Sequence, residues 1–178
     1  ERAMASYYYL MSSLPMLRAS GKPPLTYAEF LAACESTVSE SRYAALAGLT
    51  LSSDKGPLLS EWAKFHSALR SALADYRNAR LGKRAPGGDK DAAMTKAVSD
   101  AVSGKDPLAA EEALLALEFD KLDELTGTHC FDEHALTGYA LKLKLLERKN
   151  VFDREKGKAE LGRILDGLRD MIPIGGTE

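Results

Sequence analysis

The chain has 178 residues, a formal net charge of −2 at pH 7 and a pI near 6.0. Alanine and leucine supply 53 residues, valine and isoleucine only 7. This composition disfavours a large β-sheet, since β-branched side chains suit pleated strands and Ala and Leu lose little on entering a helix. The charge gives no field favouring nucleic-acid phosphates, and no run approaches the roughly 20 apolar residues of a membrane span.

The first segment, YYYLMSSLPML, allows a short strand by its aromatic content or two helical turns by its length, and its sequence does not separate them. Thr26 and Glu29 form a capping-box pattern that starts a helix reaching about Ser36. A second short helix covers Glu40 to Leu49, and Ser52 to Pro57 breaks it. Pro57 then suits the first position of a long helix ending near Leu81, with Leu58, Trp62, Phe65, Leu69, Leu73 and Tyr76 on one stripe. Residues 82–91, GKRAPGGDKD, read as a mobile surface loop.

An alanine-rich helix follows to about Val102. Asp106 with Pro107 starts the next, which runs to about Leu125. Ala113 to Leu117 is apolar on every side, which predicts that this helix is the centre of the core. Phe131 to Lys149 carries Leu136, Tyr139, Leu143 and Leu146, with Leu141 and Leu145 widening the face. The last helix starts near Asp153, with a stripe of Leu161, Ile164, Leu165, Leu168, Met171 and Ile172, and stops at Pro173.

The predicted fold is all-α: one domain over residues 1–178, a bundle or array of six to seven antiparallel helices with an optional short N-terminal strand. If the Trp62 and Leu165 stripes both face the core, truncating either residue to alanine costs about 2–5 kcal/mol. Met4 is a candidate native start. Cys34 and Cys130 suit a reducing cytoplasm, with a bridge between them left open.

The densest polar cluster is LDELTGTHCFDEH, Leu122 to His134. Its His129, Cys130, Asp132 and His134 are ligand types for zinc or iron, which defines one alternative, a small helical metalloenzyme. The spacing favours a blander reading, in which Thr128 or Asp132 caps the incoming helix and Cys130 is a buried, inert thiol. His66 reads as a helix-flank histidine. Basic residues gather at two helix ends, Arg80, Lys83 and Arg84 at one and Lys142, Lys144, Arg148 and Lys149 at the other. They read as solvated cations at negative helix termini, or as a docking face for an acidic partner surface. No phosphate-binding loop, dinucleotide fingerprint or nucleophile elbow occurs, so no cofactor and no catalytic residue is expected.

Five strings together resemble a bacterial family usually encoded among the subunits of V-type (rotary) ATPases. They are YYYLMSSLPML, KPPLTYAEFLAAC, NARLGK, LDELTGTHCFDEHALTGYALKLKLLER and FDREKGKAEL, spanning Tyr7 to about Leu161. Members look like a divergent counterpart of the V-type ATPase C-subunit, the helical adaptor that seats the central stalk on the membrane rotor ring. The resemblance implies a non-catalytic cytoplasmic adaptor or assembly subunit, without a cofactor. Its partners would be central-stalk or membrane-ring subunits and no nucleic acid. It would sit at the inner face of the cell membrane through those partners only.

Overall fold

The structure, a computed structural model, describes residues 2–83, 91–104, 106–151 and 154–171. Among them lie eight helices and no strand: α1 (Arg2–Ser13), α2 (Tyr27–Glu35), α3 (Glu40–Ala47), α4 (Pro57–Arg80), α5 (Ala92–Val102), α6 (Pro107–Thr126), α7 (Glu133–Val151) and α8 (Arg154–Met171). The tyrosine-rich N-terminal segment is therefore helical, not a strand, and the helix count exceeds the expected six to seven. The physical reason is spacing. Tyr7, Leu10, Met11 and Leu14 recur at three and four residues, so a helix turns all four toward the core, whereas a strand would split them between two faces.

Local chemistry sets most helix ends. Thr26 accepts the Glu29 amide at 3.2 Å, and the Glu29 carboxylate returns to the Thr26 amide at 2.7 Å, closing the capping box at α2. These bonds hold the Glu29 carboxyl below its usual range. Ser39 caps α3, Asp91 caps α5 and Asp106 caps α6, while Pro57 and Pro107 open α4 and α6. Of the predicted mobile loop, residues 84–90 lie outside the described residues, as does the stop at Pro173.

The central helix is α7, not α6. Leu136, Ala140, Leu141, Leu143 and Leu145 are all 0% exposed, and they point around the helix because α1, α2, α4 and α6 all pack against it. On α6, Leu114 and Leu115 are buried but Ala113 faces solvent. Its neighbours α4, α5 and α7 leave that side open. The α6–α7 pair is antiparallel: Lys142 reaches Asp123, Arg148 reaches Glu118 and Lys149 reaches Glu112, so partners retreat along α6 as α7 advances. At the turn the two helices approach closely, and a Cβ on Gly138 would collide with the Thr126 side chain. A smaller cluster of Leu69, Val98 and Leu114 joins α4, α5 and α6, and Phe65 packs against both it and the main core.

Cys34 is fully buried and Cys130 exposed, and both thiols are free, so no bridge joins them. Burial pushes the Cys34 thiol up to about 11.

The stripe on α8 does not join the core. Leu161, Ile164 and Leu165 are 56%, 52% and 48% exposed, and no other described helix makes more than a marginal contact with α8. The side chains of Leu168 and Met171, and residue Ile172, lie outside the described residues. The condition that the Leu165 stripe faces the core is thus not met: its helix is amphipathic, but the described part of the face is about half exposed. Leu165→Ala is expected to change stability by no more than about 0.5 kcal/mol, whereas Leu141→Ala costs about 2–5 kcal/mol. Urea denaturation of the two variants side by side checks the contrast.

Candidate functional site

The α6–α7 turn holds the polar cluster singled out in the sequence. Gly127 ends α6 at φ 52°, a conformation glycine adopts without strain. Asp132 then caps α7, one carboxylate oxygen accepting the Ala135 amide at 3.0 Å and the other meeting His129 Nδ1. Burial pushes the Asp132 carboxyl up, but the bonds from Ala135 and His129 outweigh it and hold the group below its ordinary range. His129 and His134 stack, ring centroids 4.6 Å apart.

His129, Asp132 and His134 line a groove of about 410 Å³ together with Arg42, Lys55 and Thr137. Arg42 pairs with Glu133, donates to the Glu133 carbonyl at 3.0 Å and also bonds the Thr137 hydroxyl, tying α3 to the start of α7. Cys130 stands apart from this groove. Its thiol is exposed and donates to the Thr128 carbonyl at 3.5 Å, so the expected buried thiol is corrected: the turn leaves it in solvent. Among the described residues, no three His, Cys, Asp or Glu side chains are placed to hold a metal ion. The geometry of the cluster is that of a helix cap reinforced by ion pairs.

The basic residues of α7 are engaged within the chain. Lys142 Nζ lies 2.5 Å from Asp123 and 5.5 Å from the Phe119 ring centroid. Lys144 Nζ sits 3.7 Å above the Tyr27 ring, where burial draws its pKa down against the pull of Glu147. Arg148 donates to both oxygens of Glu118 at 3.2 and 2.5 Å. Lys149 donates to the Ala19 carbonyl and to Glu112, each at 3.3 Å. These four brace α7 against α2, α6 and the loop before α2. They do not form a solvated basic face. Arg80 and Lys83 are exposed at the other helix end, and Arg84 lies outside the described residues.

Sequence reasoning missed the most buried charge among the described residues. Glu118 is 2% exposed, held by Arg148 from α7 and lying 3.7 Å from His66 Nε2 of α4. The available signal was its spacing: Glu118 falls midway between Leu114 and Leu122 on the buried face of α6, and a carboxylate there needs a partner. Burial raises Glu118 above the ordinary carboxylate value although Arg148 pulls it back, and burial with the nearby Arg148 and Arg70 lowers His66. The two shifts have opposite consequences for stability. The His66 contribution is full above its ordinary value of 6.5 and is lost as pH falls through the lowered one. The Glu118 contribution is full below 4.5 and is lost as pH rises through the raised one. His66→Gln removes the first of these, so its melting temperature is expected to fall less steeply than wild type below pH 6.5. Thermal melts from about pH 5 to pH 8 check this, and parallel curves would refute it.

Among the described residues, two groups of exposed apolar side chains stand out. One is the α8 stripe. The other is a small aromatic cluster in which Tyr8 and Phe131 lie 4.7 Å apart and Tyr8 and Tyr9 lie 5.8 Å apart; Tyr9 is 73% exposed. No described helix is long and apolar enough to cross a membrane. No family model, curated protein or solved structure matches the chain.

Proposed function

We propose that this chain is a non-catalytic adaptor or assembly subunit of a bacterial V-type (rotary) ATPase, related to the helical adaptor that seats the central stalk and acting at the inner face of the cell membrane through its protein partners. The observation that carries the reading is α8, a helix whose described stripe residues, Leu161, Ile164 and Leu165, are about half exposed. A contiguous apolar face on a regular helix is the form in which helices dock into partner grooves or pair with other helices. The resemblance of five strings to a family encoded beside rotary ATPase subunits favours the central stalk or the membrane ring as partners. The exposed tyrosines and Phe131 add a second contact of the residue types enriched at interfaces.

The test is binding of the purified chain to purified central-stalk and membrane-ring subunits of a bacterial V-type ATPase. Wild type is expected to bind. A double variant, Leu161→Asp with Leu165→Asp, is expected to lose at least about tenfold in affinity while melting as wild type does, because both positions are exposed. Absence of binding by the wild-type chain overturns the proposal.

A further inference from the structure

A cavity of about 530 Å³ opens where the start of α6, the end of α7 and the loop before α2 meet. It lies apart from both the α6–α7 turn and the α8 stripe. Its apolar lining is Leu108 and Pro23, with the buried Leu115 and Leu146 beneath them, and its polar wall includes Lys22 and Arg148. We infer that this cavity is a binding site for an amphipathic organic anion, whose apolar body lies on Leu108 and Pro23 and whose carboxylate or phosphate head is taken by Arg148 and Lys22.

Arg148 is the central group of the cavity's polar wall. A guanidinium has five N–H donors in a rigid fork. Arg148 spends two on Glu118, one from each terminal nitrogen, and the rest find no acceptor among the described residues while the side chain lines the cavity and is 40% exposed. Glu118 is buried behind it. A buried ion pair gives a fold little that a well-packed apolar pair would not give. Such a carboxylate does, however, fix an arginine's orientation before a ligand arrives, as a supporting residue does for a binding group. Lys22 adds an exposed cation with no carboxylate partner among the described residues. Lys149 is also in the wall, but Glu112 engages it. Glu111 is the one carboxylate lining the cavity, exposed to solvent. The volume falls in the range of small-molecule sites, roughly 300–1,000 Å³, and the mix of an apolar wall with few polar groups is typical of them.

Decanoate, decanol and decyltrimethylammonium serve as probes of matched chain length, titrated below their micelle or solubility limits into the full chain carrying methyl-labelled leucines. Decanoate is expected to shift the Leu108, Leu115 and Leu146 methyl resonances and to bind at least about tenfold more tightly than the other two probes. Lys22→Glu and Leu108→Asp, both at exposed positions, are each expected to weaken decanoate about tenfold without changing the melting temperature. Displacement of decanoate by phosphatidylglycerol vesicles supports the site with a lipid as the anion's source, and failure to displace it supports the site with a soluble anion. The inference is overturned by three results: no shift of those methyls, equal binding of decanol, or shifts confined to Leu161 and Leu165 of α8. It is independent of the ATPase reading, which the vesicle and methyl experiments do not test.

Discussion

Trp62→Ala is expected to cost about 3–5 kcal/mol of unfolding free energy, the upper part of the range for large-to-small changes in a core. Trp62 is 0% exposed, and its indole N–H donates to the Leu51 carbonyl at 3.0 Å, so one side chain fills the core between α4 and the loop before it while satisfying a backbone acceptor. Its ring also lies against Phe65 and His66, centroids 5.7 and 5.4 Å away. Alanine opens a cavity, leaves the Leu51 carbonyl without that donor and removes both ring contacts. Trp62→Phe keeps most of the volume and loses the donor, so it is expected to cost less, about 1–3 kcal/mol. Urea unfolding followed by far-ultraviolet circular dichroism measures both, because the single tryptophan is gone. A loss under about 1 kcal/mol for alanine would contradict this packing.

Arg148→Ala is the second large effect. Removing one member of a buried ion pair costs about 3–5 kcal/mol when both are enclosed. Arg148 is 40% exposed and Glu118 2%, so solvent screening brings the expected loss to about 2–4 kcal/mol. The variant leaves Glu118 without the two bonds that lower its pKa, so the carboxyl rises further above its ordinary 4.5. A raised carboxyl keeps its contribution below that ordinary value and loses it as pH rises through the folded value. The cost of Arg148→Ala is therefore expected to be largest near neutrality and to shrink toward pH 4.5. Replacing the pair together, Glu118→Leu with Arg148→Met, is expected to lie within about 1 kcal/mol of wild type. Equilibrium urea unfolding at neutral and acid pH tests all three expectations. A single-variant cost independent of pH would show that Glu118 is not the charge left behind.

Most of the helices were legible because their signals are local. Thr26 with Glu29, Pro57, and Asp106 with Pro107 each announce a helix start within four residues, and each lies at one in the structure. The N-terminal segment was ambiguous because three tyrosines carry strand preference, and only packing of Leu10 and its neighbours on the core decided for a helix. The central helix was misread because an apolar run says that a segment tolerates burial, not how many neighbours it has. Four helices surround α7, and none covers the Ala113 side of α6. The basic residues of α7 were read as a solvated end because their partners, Asp123, Glu118 and Glu112, lie 19 to 37 residues back in the chain. The cap at Asp132 was visible from sequence, while the exposure of Cys130 depended on the path of the turn. Hydrophobic periodicity on α8 was read correctly as amphipathic, but the pattern is the same whether the apolar face is covered by this chain or by another.

That last distinction is where the functional account stands or falls. A photo-crosslinking amino acid placed at Leu165 in cells that carry the ATPase, with the exposed Lys64 as the control position, reads directly what covers α8. An adduct from position 165 with a central-stalk or membrane-ring subunit is expected, and none from position 64. An adduct only with another copy of this chain, or no adduct with any ATPase subunit present in the same cells, would contradict it.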